Sequence, residues 1–456
     1  MQAECAYPVI ADTHVLHLTP HEGYLRDVTV QPGAQKSDMH MLNDMAAEIV
    51  SRFDGTATLG DVMKDINAQF EGDGFDLGAA CLEHVVHLLQ DGLIDLHDEP
   101  VDGHARIRGS RAYECPSHFM IELTDQCNLR CEHCYRDSSP ERSQQIDTPT
   151  LLNLIGQMAD HGVSTVELTG GEPTMRKDFL DIFHYCAQRF SSVAIVSNGW
   201  FITEDWARQM GRYNNVIVQI DLDGSHARAH DTLRGRPGSF ERALRAGRAM
   251  AKAGVRFRAA MNVYAGNFDT IYDTAALALE IGANWFSFSP VTDLGRGREA
   301  DMISFSQMAQ LMDIAKGLET AYGDEFIRLV DEGLVDQTRA DGNCGAGWRS
   351  LVLGPNGDVR PCVMVEPDAM AFGNLLDMDY VSFLEAFNGT FFRHLKAPGS
   401  EPCDGCPNHQ YCHGCFARTL RANEVMVEEM GELRCAWRKH TGFGAFVGPA
   451  SLGCSP

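Results

Sequence analysis

A strand-like run, Phe119–Leu123, leads straight into Thr124-Asp-Gln-Cys-Asn-Leu-Arg-Cys-Glu-His-Cys-Tyr135, which places cysteines at 127, 131 and 134 in one loop. Three thiolates hold only three irons of a four-iron cube, so the fourth iron is open to a small molecule. The alternative is a structural zinc knuckle with His133 as the fourth ligand. Either way, the loop must fold so that three sulfur atoms face one centre.

From residue 117 the chain alternates strand and helix patterns, the signature of a parallel β/α architecture. Strands fit Phe119–Leu123, Thr165–Leu168, Val193–Val196, Val216–Leu222, Phe257–Val263 and Trp285–Ser289. Helices fit Leu151–His161, Phe179–Arg189, Glu204–Tyr213, Phe240–Ala253, Ile271–Ile281 and Phe305–Tyr322. Six such units predict an α/β fold, a partial (β/α)6 barrel. In β/α barrels chemistry sits at the carboxyl ends of the strands, and the polar motifs of this stretch fall at those ends.

The motifs resemble those of the radical S-adenosylmethionine (SAM) enzymes. The resemblance implies that Cys127, Cys131 and Cys134 hold a [4Fe-4S] cluster whose free iron is chelated by SAM. Reduction then yields an adenosyl radical that takes hydrogen from an unactivated C–H bond; such chemistry belongs to the cofactor, which the protein positions. It further implies that Tyr135 packs near adenine and that Gly170-Gly171-Glu172-Pro173 receives the ammonium of SAM. Ser197-Asn198-Gly199 matches a ribose-contacting segment, and Arg234 matches an arginine that reaches the SAM carboxylate. Asn262 is a further candidate for that pocket. Asp221 stands where relatives have serine. Arg296, in Leu294-Gly-Arg-Gly297, is the candidate catalytic residue, as an active-site base contact, with a surface arginine as the plain alternative.

Cysteines return at 344, 362, 403, 406, 412, 415 and 435. With Pro355-Asn-Gly357 as a hairpin turn and Gly373-Asn-Leu375, they resemble the SPASM domain over about residues 340–440. The resemblance implies one auxiliary iron–sulfur cluster on Cys403, Cys406, Cys412 and Cys435, and a second on Cys344, Cys362 and Cys415. Cys412-His-Gly-Cys415 has two residues between its cysteines where the family usually has three. The extra cysteine that fully ligated relatives carry after the first has no match in Gly345–Ser350. A four-thiolate zinc site on Cys403, Cys406, Cys412 and Cys415 is the alternative. Of the rest, Cys81 and Cys186 lie in helix patterns and are expected to be free and buried; Cys5, Cys115 and Cys454 have no partner at useful spacing.

The first hundred residues carry four basic against 18 acidic side chains, within a net charge of −25 for the 456-residue chain. That balance argues against nucleic-acid or anionic-membrane partners. Strand-like runs at Val15–Pro20, Tyr24–Val30 and Met39–Leu42 precede helices over Asn43–Phe53, Leu59–Phe70 and Leu77–Gln90, then a short strand Leu93–Leu96. This order predicts a winged-helix-like domain and resembles the PqqD-like peptide-binding domain, or RiPP recognition element, over about residues 10–97. The resemblance implies capture of a precursor's leader peptide as an added edge strand. Five histidines here (His14, His17, His40, His84, His87) lack ligand spacing.

The expected division is therefore 1–100 leader-binding domain, 101–116 linker, 117–325 partial barrel and 326–456 SPASM domain and tail. No apolar run of membrane-spanning length occurs. Met1–Pro8 lacks a basic n-region and an apolar h-region, so clustered cysteines in a reducing cytoplasm are expected. The expected activity is a radical SAM oxidoreductase that crosslinks a ribosomally made precursor peptide, through a thioether or a carbon linkage, with a ferredoxin or flavodoxin as electron donor. The rivals are a SPASM dehydrogenase acting on a folded protein or a cofactor precursor, and a non-catalytic metal-binding scaffold.

Overall fold

The structure is a computed structural model. It describes residues 3–27, 39–69, 77–329, 344–366, 369–387, 389–399, 403–406, 412, 414–419 and 435–442. The chain divides into two compact units: residues 1–117 with 156–164 and 380–388, and the remainder.

In the first unit, β1 (Tyr7–Ile10), β2 (His14–Leu18), β3 (Gly23–Asp27) and β4 (Met39–Leu42) precede α1 (Asp44–Val50), α2 (Leu59–Gln69), α3 (Leu77–Gln90) and β5 (Ile94–His97). Asn43 caps α1, its Oδ1 accepting from Ala46 N at 2.9 Å. Leu16, Leu25, Leu42, Val50, Phe53 and Leu59 form the centre of a shared core. Val28–Val30 and Phe70 lie outside the described residues. The segment expected to be a bare linker instead supplies β6 (Ile107–Gly109), which pairs parallel to β2 and completes a sheet of order β4-β3-β2-β6. A three-residue strand whose partner lies some 90 residues earlier leaves no local pattern. β1 pairs antiparallel with β5.

The second unit is built on β7 (His118–Glu122), α4 (Thr148–Asp160), β8 (Thr165–Thr169), α5 (Phe179–Arg189), β9 (Ser192–Ser197) and α6 (Glu204–Met210). It continues with β10 (Val216–Asp221), α7 (Ala227–Arg234), α8 (Ser239–Lys252), β11 (Arg256–Val263), α9 (Ile271–Glu280), β12 (Trp285–Pro290) and α10 (Phe305–Tyr322). The six expected strands are present, each pairing in parallel with the next. Two short strands extend the parallel run beyond six. β13 (Ile327–Leu329) joins β12 at one edge, and β14 (Ser350–Leu353) joins β7 at the other. From β14 the chain turns through Gly357, at φ 89°, into antiparallel β15 (Asp358–Arg360) and β16 (Gly373–Asn374). The cysteine-bearing chain that follows packs around Phe392, Phe416 and Trp437. Among the described residues no helix is long and apolar enough to cross a membrane.

Candidate active site

The cysteine loop leaves the carboxyl end of β7. Cys127 and Cys131 are buried and pack with Leu129, Cys134 and Trp200. Backbone bonds fix the loop: Cys127 N to Ser139 O at 3.1 Å and Glu132 N to Leu233 O at 2.9 Å. Two sulfurs already receive amide donors, Cys127 Sγ from Leu129 N and Cys134 Sγ from Ser138 N, both at 3.4 Å. Burial pushes the Cys131 thiol up to about 12, against the pull of Arg234. Burial also raises Cys127, with Glu172 adding to it. Bare thiolates are thus disfavoured here, and a cationic iron centre is the kind of partner that reverses the balance. Among the described residues no three His, Cys, Asp or Glu side chains gather as ligands of a single metal ion.

The Gly-Gly-Glu-Pro turn lies against this loop. Gly171 N donates to Thr124 O at 2.7 Å and Glu172 N to Gln126 O at 2.9 Å. A Cβ on Gly170 would sit 2.4 Å from Thr124 O, and one on Gly171 would sit 2.3 Å from Gln126 O. Only glycine lets the two backbones come this close. Glu172 is hydrogen-bonded within the protein. Its carboxylate accepts from Thr174 N at 3.1 Å, Thr174 Oγ1, Ser197 Oγ at 2.8 Å and Asn198 N at 2.8 Å. Three of those donors converge on Oε1 and one reaches Oε2, which keeps an acceptor site. The side chain is a strut between the ends of β8 and β9, and its Oε2 and the backbone of the turn both border the cavity. Ser197 is committed likewise, since Gly199 N donates to its Oγ at 3.0 Å. Asn198 Nδ2 bonds Asn128 Oδ1 at 3.0 Å.

Arg234, at the end of α7, is buried beside Cys131. Its Nη1 donates to Asp221 at 2.8 Å and its Nε to Asp223 at 2.5 Å. Its Nη2 is buried with no hydrogen-bond partner among the described residues. Asp221, unexpected in place of serine, holds Arg234 in this pose. Asp223 also accepts from Asn262 N at 2.7 Å. A guanidinium clamped on one side, with one donor left unpaired, fits a ligand carboxylate. Cys127, Cys131, Cys134, Tyr135, the Gly170–Glu172 turn, Asp221, Arg234 and Asn262 all line one cavity of about 280 Å³.

Arg296, the candidate catalytic residue, bonds the cysteine loop. Its Nε donates to Cys131 O at 2.8 Å, its Nη2 to Ser138 O at 2.9 Å, and its Nη1 pairs with Asp137 at 2.5 Å. All three nitrogens are spent on the cysteine loop, and Arg296 is outside the cavity lining. It is a positioning residue for the loop.

The C-terminal thiols fall into two neighbourhoods. Burial pushes Cys362 up to about 12, with Cys415 and Cys344 contributing. Burial does the same to Cys412, with Cys435, Cys406 and Cys403 contributing most among the thiols and Cys415 least. Of the remaining cysteines, Cys186 is fully buried, Cys115 is partly buried and Cys5 is exposed; Cys454 and the Cys81 side chain lie outside what is described.

Several residues that build this site went unremarked in the sequence: Glu122, Arg136, Arg176, Asp223 and Arg360. Arg176, for example, fixes the chain beyond β7 by donating to Leu123 O at 3.0 Å and Ile146 O at 2.9 Å. A charge inside an apolar strand pattern, as at Glu122 and Arg360, is the signal that would have found two of them.

Comparison with known proteins agrees with this geometry. The radical SAM superfamily model matches residues 121–280, and the SPASM model, an iron–sulfur cluster-binding domain, matches residues 344–416. The antilisterial bacteriocin subtilosin biosynthesis protein AlbA of Bacillus subtilis is 31% identical over 449 residues, covering 96% of this chain and 98% of AlbA. The mycofactocin maturase MftC of Mycolicibacterium smegmatis is 32% identical over 316 residues, covering 67% of this chain and 80% of MftC. The crystal structure of Streptococcus suis SuiB bound to S-adenosylmethionine shares the fold, with a TM-score of 0.66 at 14% identity, covering 91% of this chain and 96% of that one. The chain belongs to the radical SAM superfamily, in the family that includes AlbA, and is an enzyme whose cofactors are SAM and iron–sulfur clusters.

Proposed function

We propose that this enzyme is a cytoplasmic maturase that installs a thioether or carbon-linked crosslink in a ribosomally made precursor peptide. The observation that carries the reading is similarity along nearly the whole chain to a bacteriocin biosynthesis protein. The solved protein that shares the fold, SuiB, is also known bound to a precursor peptide, SuiA.

In this reading Cys127, Cys131 and Cys134 hold the SAM cluster. Arg234 turns its free Nη2 to the carboxylate of SAM, and the Gly170–Gly171 backbone meets its ammonium. Tyr135, Asp221 and Asn262 border the cofactor, while Glu172, Pro173, Ser197 and Asn198 hold the frame around it. When bound, SAM on the reduced cluster supplies hydrogen-atom abstraction from an unactivated C–H bond. Cys403, Cys406, Cys412 and Cys435 hold one auxiliary cluster; Cys344, Cys362 and Cys415 hold the other. A ferredoxin or flavodoxin delivers the electrons.

Residues 1–100 act as a PqqD-like leader binder. β4 is the end strand of its sheet, and Met41 on it is 56% exposed. An edge strand offers unpaired N–H and C=O groups to an incoming peptide. Tethering the leader raises the effective concentration of the core peptide at the active site.

The test compares full-length enzyme with a variant lacking residues 1–100, using mass spectrometry of modified precursor at sub-saturating peptide. Truncation is expected to abolish modification while sparing SAM cleavage. Unchanged turnover would remove the leader-binding role, and no modification by either form would remove the maturase reading.

A further inference from the structure

Three carboxylates line the active-site cavity: Glu167, Glu172 and Asp221. Two are committed. Glu172 accepts its four bonds from Thr174, Ser197 and Asn198, and Asp221 is held by Arg234 at 2.8 Å and Gln219 Nε2 at 3.3 Å. Glu167 accepts no hydrogen bond from any described residue. It sits on β8 between Val166 and Leu168, both fully buried in the opposite face of the strand. Alternation therefore turns Glu167 into the barrel. Its register neighbours, Met120 on β7 and Ala194 on β9, carry no charge. The charge that acts on it is Arg258 of β11, itself bonded to Gln219. Burial pushes Glu167 above the usual carboxylate range, with Arg258 opposing. A barrel interior is ordinarily filled by branched apolar side chains. Glu167 is half-buried, and its carboxylate, without a hydrogen bond from the described residues, faces the cavity.

We propose that Glu167 is the proton acceptor for the peptide in the crosslinking step; the inference rests on the maturase reading above. Joining X–H and Y–H into X–Y releases two protons and two electrons. One hydrogen leaves X as an atom and ends in 5′-deoxyadenosine. The other leaves Y as a proton, and Glu167 takes it. The electron left after the X–Y bond forms needs an oxidant, which an auxiliary iron–sulfur cluster would supply when bound. The cavity that Glu167 faces is the one that holds Cys127, Cys131 and Cys134, so abstraction and deprotonation occur in one chamber.

The experiment uses reconstituted full-length enzyme, wild type, Glu167→Gln and Glu167→Asp. The probe is a synthetic precursor peptide chosen from short reading frames sought around the gene, made with deuterated amino acids. Deuterium in 5′-deoxyadenosine reports abstraction, and mass spectrometry reports crosslinked peptide. For Glu167→Gln we expect deuterium transfer within about two-fold of wild type and crosslinked peptide at least ten-fold lower; Glu167→Asp should recover part of the loss. Unchanged crosslinking overturns the proposal, and so does parallel loss of both readouts, which marks Glu167 as structural or substrate-positioning. A wild-type enzyme that leaves the peptide unmodified overturns the maturase reading itself.

Discussion

Arg360 Nη2 on β15 and Glu122 Oε2 on β7 meet at 2.5 Å, and both side chains are sealed from solvent. Arg360 also donates to Asp358 at 2.7 Å and to Val365 O at 3.1 Å, while Arg136 reaches Glu122 at 3.2 Å. The pair joins the strand that leads to Cys127 with the strand that leads to Cys362. Removing one partner of a buried pair leaves the other charge uncompensated, at a cost of about 3–5 kcal/mol. Arg360→Met should therefore lower the unfolding free energy, by up to about 3–5 kcal/mol less what Arg136 still supplies to Glu122. A change below about 1 kcal/mol would mean that water or rearrangement solvates Glu122.

Arg296 anchors the cysteine loop through two backbone carbonyls and Asp137. Arg296→Met should loosen that loop and lower cluster occupancy there. The expected readout is a loss of about four irons out of roughly 12 per chain if all three clusters are cubes. Full iron content with a selective loss of peptide turnover would return Arg296 to a substrate role.

Gly171→Ala places a methyl 2.3 Å from Gln126 O, and two backbones must separate to admit it. SAM binding to the reconstituted enzyme, followed by calorimetry, should weaken at least ten-fold, or about 1.4 kcal/mol. Wild-type affinity would show that the turn can move without disturbing the cofactor pocket.

Replacing Cys127, Cys131 and Cys134 together with alanine should abolish 5′-deoxyadenosine formation and leave the auxiliary iron, roughly two thirds of the total. Iron analysis and chromatography of the nucleoside products check both halves. Loss of all iron would make the SAM-cluster loop a folding requirement for the C-terminal domain.

His17 gives the pH dependence a sign. Burial, followed by Arg108 and Arg26, lowers it from 6.5 to about 3, and it stacks on Tyr24 at 4.9 Å. Between those values the unfolded chain binds the proton and the folded chain does not. The stabilisation is therefore full above pH 6.5 and is lost as pH falls, by about 2 kcal/mol at pH 5. His17→Phe keeps the stack and removes the proton. Its melting temperature should fall less between pH 7 and pH 5 than that of the wild type, and equal slopes would place the titration elsewhere.

The barrel was legible because each of its strands sits beside a helix with its own periodicity, so Thr165–Thr169 or Val216–Asp221 could be read within a short window. β6, β13 and β14 were not, since three or four residues carry no period and their partners are fixed by tertiary packing. The cysteines and Gly170–Gly171 were legible as chemistry written in spacing. What Glu172 does was not, because its donors Ser197 and Asn198 arrive from the next strand. Asp221 looked like a departure from a pattern, and only the pose of Arg234 shows what it supports.

The parallel pairing of β14 with β7 constrains how the protein is made. Until residue 353 has left the ribosome, β7 carries an open edge of unpaired amides and carbonyls immediately before the iron-binding loop. Such an edge is a template for wrong strands, and a partner more than 200 residues away is slow to arrive. A chain cut after α10 is thus not a smaller enzyme but an unfinished sheet.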